Sequence, residues 1–441
     1  MTSTTIVTDC NIQALFNNYF MIRTLALLSL NLGIALGFKQ QLPLRLNAAP
    51  IANIQANQSK STPSTPSTPS TPSTPSTPSP ARNTSPARNT NYEENSIGFD
   101  EQLWGKSGDK ALMLKSIDRS LGYLNTPAAT KAYQNYPVQG ISRDRVRRSL
   151  VRFRQLVNTS RSAAELQTAV KQEFSFYQSI GKDNKGTVQF TGYYEPIYQA
   201  SRIQTAEFKY PLYKLPANFN SWKDLPPERV QLEGADGLQG GKSALAGNEI
   251  FWMRDRFEAI LVQIQGSAEL NLVDGSKTTV GFAGGTNFVY NSIGRELAKD
   301  GKVTASQLTL PGIIRYFREN PLELNVYIPR YKRFVFMKET FNGDAMGSIN
   351  VPVTPERSIA TDKSMMPPGA LALVYTKLPY VSEGRSIQQK LVSRYVLDQD
   401  TGSAITGPGR VDYFMGTGKI AGDRAGVTGG PGQLYYLLLK S

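Results

Sequence analysis

The sequence of 441 residues contains no histidine and one cysteine, Cys10. Without an imidazole there can be no Ser-His-Asp or Cys-His catalysis and no histidine-ligated zinc site. A single cysteine upstream of a processed segment excludes disulfides within the mature chain, thiol catalysis and cysteine-rich metal sites. Any acid–base chemistry must therefore come from Asp, Glu, Lys or Tyr side chains.

The charge is one-sided, with 49 Lys and Arg against 35 Asp and Glu, a net charge of +14. Such an excess favours anionic partners, among them nucleic acid, an acidic membrane surface and an anionic polymer. Nucleic acid is not expected, because the sequence has no zinc-finger spacing, no RRM-type aromatic signature and no concentrated Lys/Arg block.

The N-terminal region has one long apolar run, about 14 residues from Leu25 to Phe38, preceded by Arg23. A membrane span needs about 20 apolar residues, whereas the apolar core of a secretory signal can be this short. The pattern predicts a leader over residues 1–40, with Met21 as an alternative initiator, and export to the periplasm or cell envelope. An uncleaved membrane anchor is the alternative. Lipidation is not expected, because no cysteine follows the run.

Six Ser-Thr-Pro triplets occupy residues 61–78. A proline-rich repeat of period three cannot build a core and stays extended. Residues 41–95 are therefore predicted to be a disordered linker that holds a folded unit away from the leader.

The folded part is predicted to be α+β and dominated by strands. Two amphipathic helices are expected, each following a serine N-cap: one after Ser142 with Val146, Leu150, Phe153 and Val157 on one face, the other after Ser162 with Leu166, Val170, Phe174 and Tyr177. Beyond Gly181, short apolar runs between Gly, Pro, Asn and Asp are typical of barrel or sandwich strands. Further helices are expected over residues 291–300 and 305–317.

Two segments carry groups suited to binding sugars. "QFTGYYEP" (189–196) contains Gly192, which allows close backbone approach, and Tyr193, an aromatic face with a hydroxyl tip. In "VQIQGSAEL" (262–270), a period-two reading predicts a strand that projects Gln263 and Gln265 together as amide contacts. Packed tyrosines and a half-exposed polar strand face remain the alternatives.

The C-terminal region supplies candidate acids: Asp362 in a loop, then Asp400, Asp412 and Asp423 in a stretch with nine glycines between residues 400 and 430. The glycines predict tight turns that hold these acids on loops beside a polymer. Asp400-Thr401-Gly402 matches the aspartic-protease triplet, but such a protease needs two carboxylates that share a proton. The sequence has no second triplet, and Gln399 stands where that motif has an apolar residue. A protease is therefore not expected.

Taken in order, these motifs resemble the MltA family of membrane-bound lytic murein transglycosylases over about residues 186–441. The segments that carry the resemblance are "TGYYEP", "VQIQGSAEL", "GFAGGTNFVYNSIGREL", "RSIATDKSMMPPGAL" and "DTGSAITGPGRVDYFMGTG" followed by "AGDRAG". The resemblance implies a double-psi β-barrel built from both ends of the folded chain, with a second β domain inserted and a groove between them. Mapped onto this sequence, the barrel would comprise residues 96–195 and 340–441, with the insert at 196–339.

The resemblance also implies a function: cleavage of the β-1,4 bond between N-acetylmuramate and N-acetylglucosamine in peptidoglycan, with a 1,6-anhydromuramate product. The family's catalytic acid aligns with Asp412. Positions expected to contact the glycan are Thr191, Tyr193, Gln265, Ser267, Asp362 and Asp400. No metal or cofactor is implied, the expected partner is the glycan strand, and a monomer is expected. A non-catalytic wall tether and a hydrolytic muramidase with two carboxylates remain the alternatives.

Overall fold

The computed structural model describes residues 96–440 apart from 223–224, 305–306, 342 and 383–385, together with the backbone of residues 52–53. The predicted leader and all of the predicted linker except residues 52–53 lie outside the described residues. Within the described part, no helix combines the length and apolarity that a membrane crossing needs.

The described strands, in chain order, are β1 (Ala52–Asn53), β2 (Phe174–Gln178), β3 (Val188–Glu195), β4 (Ile197–Ser201), β5 (Tyr210–Tyr213), β6 (Glu249–Met253), β7 (Ser267–Leu272), β8 (Lys277–Gly285), β9 (Val335–Glu339), β10 (Ser358–Ala360), β11 (Leu371–Val381), β12 (Ile387–Asp400), β13 (Arg410–Thr417) and β14 (Gly429–Leu439). The α-helices are α1 (Lys110–Leu124), α2 (Pro127–Tyr133), α3 (Arg143–Thr159), α4 (Ala163–Glu173), α5 (Arg229–Glu233), α6 (Arg256–Gln265), α7 (Ile293–Lys299), α8 (Leu310–Glu319), α9 (Leu324–Arg330) and α10 (Gly418–Ala425).

Six strands close into a barrel in the order β14–β11–β12–β10–β13–β3, because β14 also pairs with β3. The β10–β12 and β13–β3 pairings are parallel and the others are antiparallel. β3 precedes the second sheet in the chain and the other five strands follow it, so the barrel is built from both ends of the folded chain. The predicted fold class, a β-dominated α+β fold with an inserted β domain, is confirmed.

Helices cover one side of the barrel and share its core. α3 begins after Ser142, whose side chain accepts a hydrogen bond from the Arg145 N–H, as the sequence predicted. The four predicted apolar positions of α3 are buried, and the Phe153 ring lies 4.8 Å from the Tyr395 ring of β12, centroid to centroid. Burying a phenylalanine contributes roughly 1.5–3 kcal/mol, so this face anchors α3 to the barrel.

The second predicted helix is shorter than expected. α4 has the predicted Ser162 cap but ends at Glu173, and Phe174 and Tyr177 lie on β2, which pairs with the last barrel strand, β14. The prediction that these two residues continue the helical face was therefore wrong. Both residues are buried, and pairing with β14 provides the backbone hydrogen bonds that a further helical turn would have made.

The inserted domain contains a six-stranded sheet in the order β5–β6–β4–β7–β8–β9. Its side chains form cores separate from the barrel core, one on the sheet and one among α6 to α9. The helices predicted over residues 291–300 and 305–317 correspond to α7 and α8, which begin after the caps Ser292 and Thr309. The chain crosses from barrel to insert at Pro196, between β3 and β4, and returns after β9.

The period-two interpretation of "VQIQGSAEL" was wrong. Residues 256–265 form α6, which begins at the N-cap Asp255 and ends at Gly266 with φ +78°. Only "SAEL" and the two residues after it form a strand, β7. Gln263 and Gln265 therefore do not share a face. Both residues line the groove, but the Gln263 side chain is buried and its amide oxygen accepts hydrogen bonds from Arg229 and the Val335 N–H.

Candidate active site

Strand register brings the predicted acids together. Ala360 of β10 lies opposite Asp400 of β12 on one side and opposite Asp412 of β13 on the other. Asp412 in turn lies opposite Thr191 of β3. Because neighbouring strands are about 4.8 Å apart, one row across the barrel carries both carboxylates and the threonine hydroxyl.

The sequence suggested that these acids are held on glycine-rich loops, and that prediction was wrong. Asp412 lies within β13, Asp400 is the last residue of β12, and Asp423 lies on α10. A glycine outside that stretch, Gly192 of β3, matters for the packing around the acids. A Cβ on Gly192 would lie 2.9 Å from the Cα of Ala425, so α10 can pack against β3 only because residue 192 is glycine.

The row opens into a cavity of about 760 Å³ between the barrel and the inserted domain. Thr191, Tyr193, Asp400 and Asp412 line it from the barrel, and Gln265, Gly266 and Ser267 line it from the insert. Six of the seven predicted site residues thus meet around one groove, and Asp362 is the exception.

Asp412 lies partly buried at the floor of the groove, with its side chain 18 % exposed. Its Oδ1 accepts a hydrogen bond from the Thr191 hydroxyl and one from Arg410 Nε at 3.2 Å. Arg410 Nη2 also donates to Thr191 Oγ1 at 2.9 Å, which closes a three-residue ring. Among the described residues nothing donates to Oδ2, so this oxygen is available to a ligand.

Burial raises the pKa of Asp412, and the nearby Arg410 guanidinium opposes this without cancelling it. Desolvation disfavours the charged form of a carboxyl, whereas a cation favours it. The net direction is toward a carboxyl that keeps its proton at a higher pH than an ordinary aspartate.

Asp400 is fully engaged with protein groups. Its Oδ2 accepts from the Tyr193 hydroxyl at 2.9 Å, and its Oδ1 accepts from the Ser348 and Thr401 N–H groups at 2.9 and 2.8 Å. Burial raises the pKa of Asp400, and these hydrogen bonds oppose the rise. The Tyr193 ring packs against Phe414 at 5.1 Å between centroids, so it is both a groove wall and a clamp on Asp400.

Asp362 acts on the groove through a loop. Its Oδ2 accepts from the Gly407 N–H at 2.7 Å, and its Oδ1 accepts from the Ser364 backbone and hydroxyl. Burial favours its neutral form, but these hydrogen bonds outweigh burial and lower its pKa. Asp362 is therefore a carboxylate that tethers residues 401–406, which line the groove.

Two predicted amide and hydroxyl contacts depend on the turn from α6 to β7. Gly266 ends the helix in the left-handed region and points Gln265 and Ser267 toward the groove. The Gln265 Nε2 group is buried and has no hydrogen-bond partner in the described part of the chain. A buried amide without a partner is costly, so this group is suited to a ligand oxygen.

Asp423 lies outside the groove lining. It pairs with Lys419 one turn earlier on α10, at 2.6 Å between Nζ and Oδ2. The Asp423 side chain is 19 % exposed, and its Oδ1 is buried without a hydrogen-bond partner among the described residues.

The sequence reasoning missed the cations of the groove: Arg295, Arg333, Lys338 and Arg410. Arg410 could have been found, because residues i and i+2 of a strand share a face and Arg410 is two residues before Asp412. The other three come from α7, the segment before β9, and β9 itself, so no local signal joined them. The sequence reasoning also missed three apolar residues that line the groove, Phe282, Phe288 and Val289.

The sequence matches two family models. Residues 189–338 match the MltA specific insert domain, and residues 357–438 match the 3D domain. The membrane-bound lytic murein transglycosylase A of Escherichia coli K12 is 30% identical over 265 residues, which are 59% of this chain and 68% of that protein. Its namesake from Vibrio cholerae is 28% identical over 263 residues, 59% of this chain and 68% of the relative.

Solved structures have the same fold. A membrane-bound lytic murein transglycosylase from Agrobacterium tumefaciens superposes with a TM-score of 0.59 at 22% identity, covering 74% of this chain and 92% of that one. Escherichia coli MltA with bound chitohexaose gives a TM-score of 0.57 at 23% identity, covering 74% and 90%. At these identities the likeness establishes the architecture alone.

Proposed function

The chain belongs to the membrane-bound lytic murein transglycosylase A family and is a peptidoglycan-cleaving lytic transglycosylase, and we propose that it works with one carboxyl group, that of Asp412. The reaction is cleavage of the β-1,4 bond from N-acetylmuramate to N-acetylglucosamine. The product is a 1,6-anhydromuramate end, and no water is consumed.

One observation carries the proposal: of the two carboxyl groups in the groove lining, only Asp412 has an oxygen without a hydrogen-bond partner among the described residues. Asp400 accepts three hydrogen bonds from protein donors. Asp412 lines the groove, its Oδ2 receives no hydrogen bond from the described residues, and burial raises its pKa. A general acid needs both an accessible oxygen and a proton to give.

The proposed cycle uses the same carboxyl group twice. Protonated Asp412 donates to the glycosidic oxygen, the bond from muramate C1 to that oxygen breaks, and N-acetylglucosamine leaves with its C4 hydroxyl restored. The Asp412 carboxylate then takes the proton of the muramate C6 hydroxyl while O6 bonds to C1, which closes the anhydro ring. Atoms balance without water, and Asp412 ends protonated, ready for the next bond.

The other predicted residues have supporting roles in this proposal. Thr191 orients Asp412 by donating to Oδ1, which leaves Oδ2 for the substrate. Tyr193 and Asp400 hold the neighbouring wall, and Asp362 holds the loop beside it. Gln265 and Ser267 would bind acetamido and hydroxyl groups from the opposite side.

A hydrolytic muramidase would need a second carboxylate as nucleophile or base. Asp400 is the only other acid in the groove lining among the described residues, and its oxygens are occupied. The structure therefore favours the single-acid reaction over hydrolysis.

The test is a digest of purified peptidoglycan with the full chain, followed by mass spectrometry of the soluble products. Anhydromuramate ends, one water lighter than hydrolytic ends, are expected. Reducing ends would overturn the proposal in favour of a muramidase. Binding to sacculi without release would make the protein a wall tether.

We also propose that the enzyme works in the cell envelope, because its relatives are named membrane-bound and its N-terminal apolar run resembles a secretory signal. Fractionation of cells that express the full chain tests this. Recovery with cytoplasmic markers would contradict it.

A further inference from the structure

The inserted-domain wall of the groove carries three cations that lack acidic partners. Arg295 on α7, Arg333 before β9 and Lys338 on β9 line the cavity, and none forms an ion pair with another described residue. The neighbours of Arg333 in sequence differ. Lys332 pairs with Glu228, and Arg330 two residues further back pairs with Glu296 and Asp300. Unlike Lys332 and Arg330, the three groove cations of the inserted domain have no acidic partner among the described residues.

Arg333 is held in place without being neutralised. Its Nη1 donates to the Thr286 carbonyl at 2.9 Å, and its Nη2 lies close to Gly285, where a Cβ would be 3.3 Å away. A carbonyl oxygen orients a guanidinium but leaves its charge uncompensated. The site is therefore preformed for an anion from outside the protein.

The cation wall faces Arg410 across the groove. Burial raises the pKa of the Tyr290 hydroxyl to about 12, and both Arg295 from the insert and Arg410 from the barrel oppose that rise. The Tyr290 hydroxyl therefore lies near a guanidinium group from each domain, Arg295 of the insert and Arg410 of the barrel. Arg410 also contacts Asp412, so the positive region extends to the proposed acid.

The charges of the lining do not balance. Its cations are Arg295, Arg333, Lys338 and Arg410, and its carboxyl groups are Asp400 and Asp412, both of which have a raised pKa because they are buried. A cleft with an excess of one sign in low-dielectric walls attracts the opposite sign. A neutral chitin-type chain has no group that could use this excess, whereas muramate carries an acidic substituent.

We propose that Arg295, Arg333 and Lys338, with Arg410 opposite, recognise carboxylates carried by muramate substituents and make the groove selective for anionic glycan over a neutral chain of equal length. This specificity rests on the proposed function. The carboxylate has two sources in peptidoglycan: the lactyl group of peptide-free muramate, or the stem peptide where one is attached.

The experiment measures binding, so that it does not depend on turnover. The full chain with Asp412→Asn is titrated with four soluble oligosaccharides of equal length: peptide-free muramate–glucosamine strands, peptide-bearing strands, the same strands with carboxyls amidated, and chitohexaose. Binding to the acidic strands is expected to be roughly tenfold tighter than to the amidated strands or chitohexaose, as three or four partly exposed charge pairs allow. The difference should shrink with added salt.

Charge variants in the same background locate the effect. The triple change Arg295→Gln, Arg333→Gln, Lys338→Gln should reduce the preference to below about threefold. Arg315→Gln and Lys377→Gln, which remove exposed cations outside the cavity lining, should leave it unchanged. The single change Arg295→Lys keeps the positive charge and should keep the binding preference. It therefore distinguishes loss of charge from structural damage to the inserted-domain wall.

Each outcome has a defined meaning. Tight binding of the peptide-free strands alone assigns the lactyl carboxylate, and tight binding of the peptide-bearing strands alone assigns the stem peptide. Tight binding of both means that the three cations accept a carboxylate from either source, and each of these results supports the proposal. Equal binding of acidic and amidated strands, or a preference that survives the triple change, overturns it. If the unsubstituted enzyme releases no anhydromuramate products while the binding preference holds, the proposed reaction fails and the recognition site stands.

Discussion

The two walls of the groove differ in chemistry. The barrel wall carries the carboxyl groups, Asp400 and Asp412, aligned by strand register through Ala360. The inserted-domain wall carries Arg295, Arg333 and Lys338 on separate elements and contributes no acid to the lining. In the proposed reaction, bond cleavage depends on the barrel. In the proposed recognition of carboxylates, selection of the substrate depends on the insert.

The difference follows from how each wall is built. Adjacent strands of a closed barrel hold groups at spacings set by backbone hydrogen bonds, which suits a proton donor that must meet one atom. Helix surfaces and a sheet edge hold long side chains more loosely, which suits charge recognition over a wider area. Changes on the barrel wall should therefore affect turnover, and changes on the insert wall should affect binding.

The largest expected effect comes from Asp412→Asn. It should lower kcat by roughly 10²–10⁴-fold, the usual contribution of a general acid–base group, and leave strand binding in place. Steady-state release of soluble muropeptides measures it. Asp274→Asn, in the exposed β7–β8 turn, is the control. A variant that keeps more than about a tenth of the activity would remove Asp412 from its role.

The junction of the two walls can be tested through Glu195, the last residue of β3. It is fully buried, its Oε2 accepts from the Thr417 hydroxyl at 2.9 Å, and its Oε1 has no hydrogen-bond partner among the described residues. Burial raises its pKa from 4.5 to about 7. The folded state therefore keeps a proton that the unfolded state loses, so stability should fall as pH rises from about 4.5 to about 7.

That loss should amount to roughly 3 kcal/mol of unfolding free energy. Glu195→Gln, which cannot ionise, should abolish this part of the pH dependence and be the more stable protein at pH 8. Urea denaturation at several pH values measures both chains. Parallel curves for the two proteins would mean that Glu195 has no raised pKa in the fold.

Asp400→Asn should have a smaller effect than Asp412→Asn, a loss of about tenfold in kcat, because Asp400 positions the wall without transferring a proton. Tyr193→Phe removes one of its three hydrogen bonds and should cost less again. Both are measured in the same release assay. Asp400→Asn could instead lower kcat as much as Asp412→Asn does, with the residual activity giving reducing, hydrolytic ends. That result would indicate a two-carboxylate hydrolase.

The smallest expected effect is a shift of the pH profile in Arg410→Gln. Asp412 must be protonated in the free enzyme, so kcat/KM should fall as pH rises through its pKa. Arg410 lowers the pKa of Asp412, so removing this cation should raise that pKa and move the alkaline limb to higher pH. Lys377→Gln is the charge control. A limb that stays in place or moves to lower pH would contradict the assignment.

Local patterns predicted only what is locally encoded. The Ser142 cap and the apolar face of α3 were correct because capping and helical spacing act within a few residues. The segment 262–270 was predicted as a strand because Val-Gln-Ile-Gln alternates, yet residues 262–265 belong to a helix that Asp255 and Gly266 cap. Short apolar runs are ambiguous in this way, and here the packing of α6 among α7 to α9 decides for helix.

By itself the sequence determined which chemistry is available: without histidine and with one N-terminal cysteine, acid–base work falls to carboxyl groups, and the ordered motifs identify the family. Only the tertiary structure decided that Asp412 keeps a free oxygen while Asp400 does not, and that three unpaired cations lie opposite them. The reason is physical. The hydrogen bonds to Asp400 and Asp412 join residues up to 221 positions apart. Strand register and domain packing, which no local propensity encodes, bring these residues together.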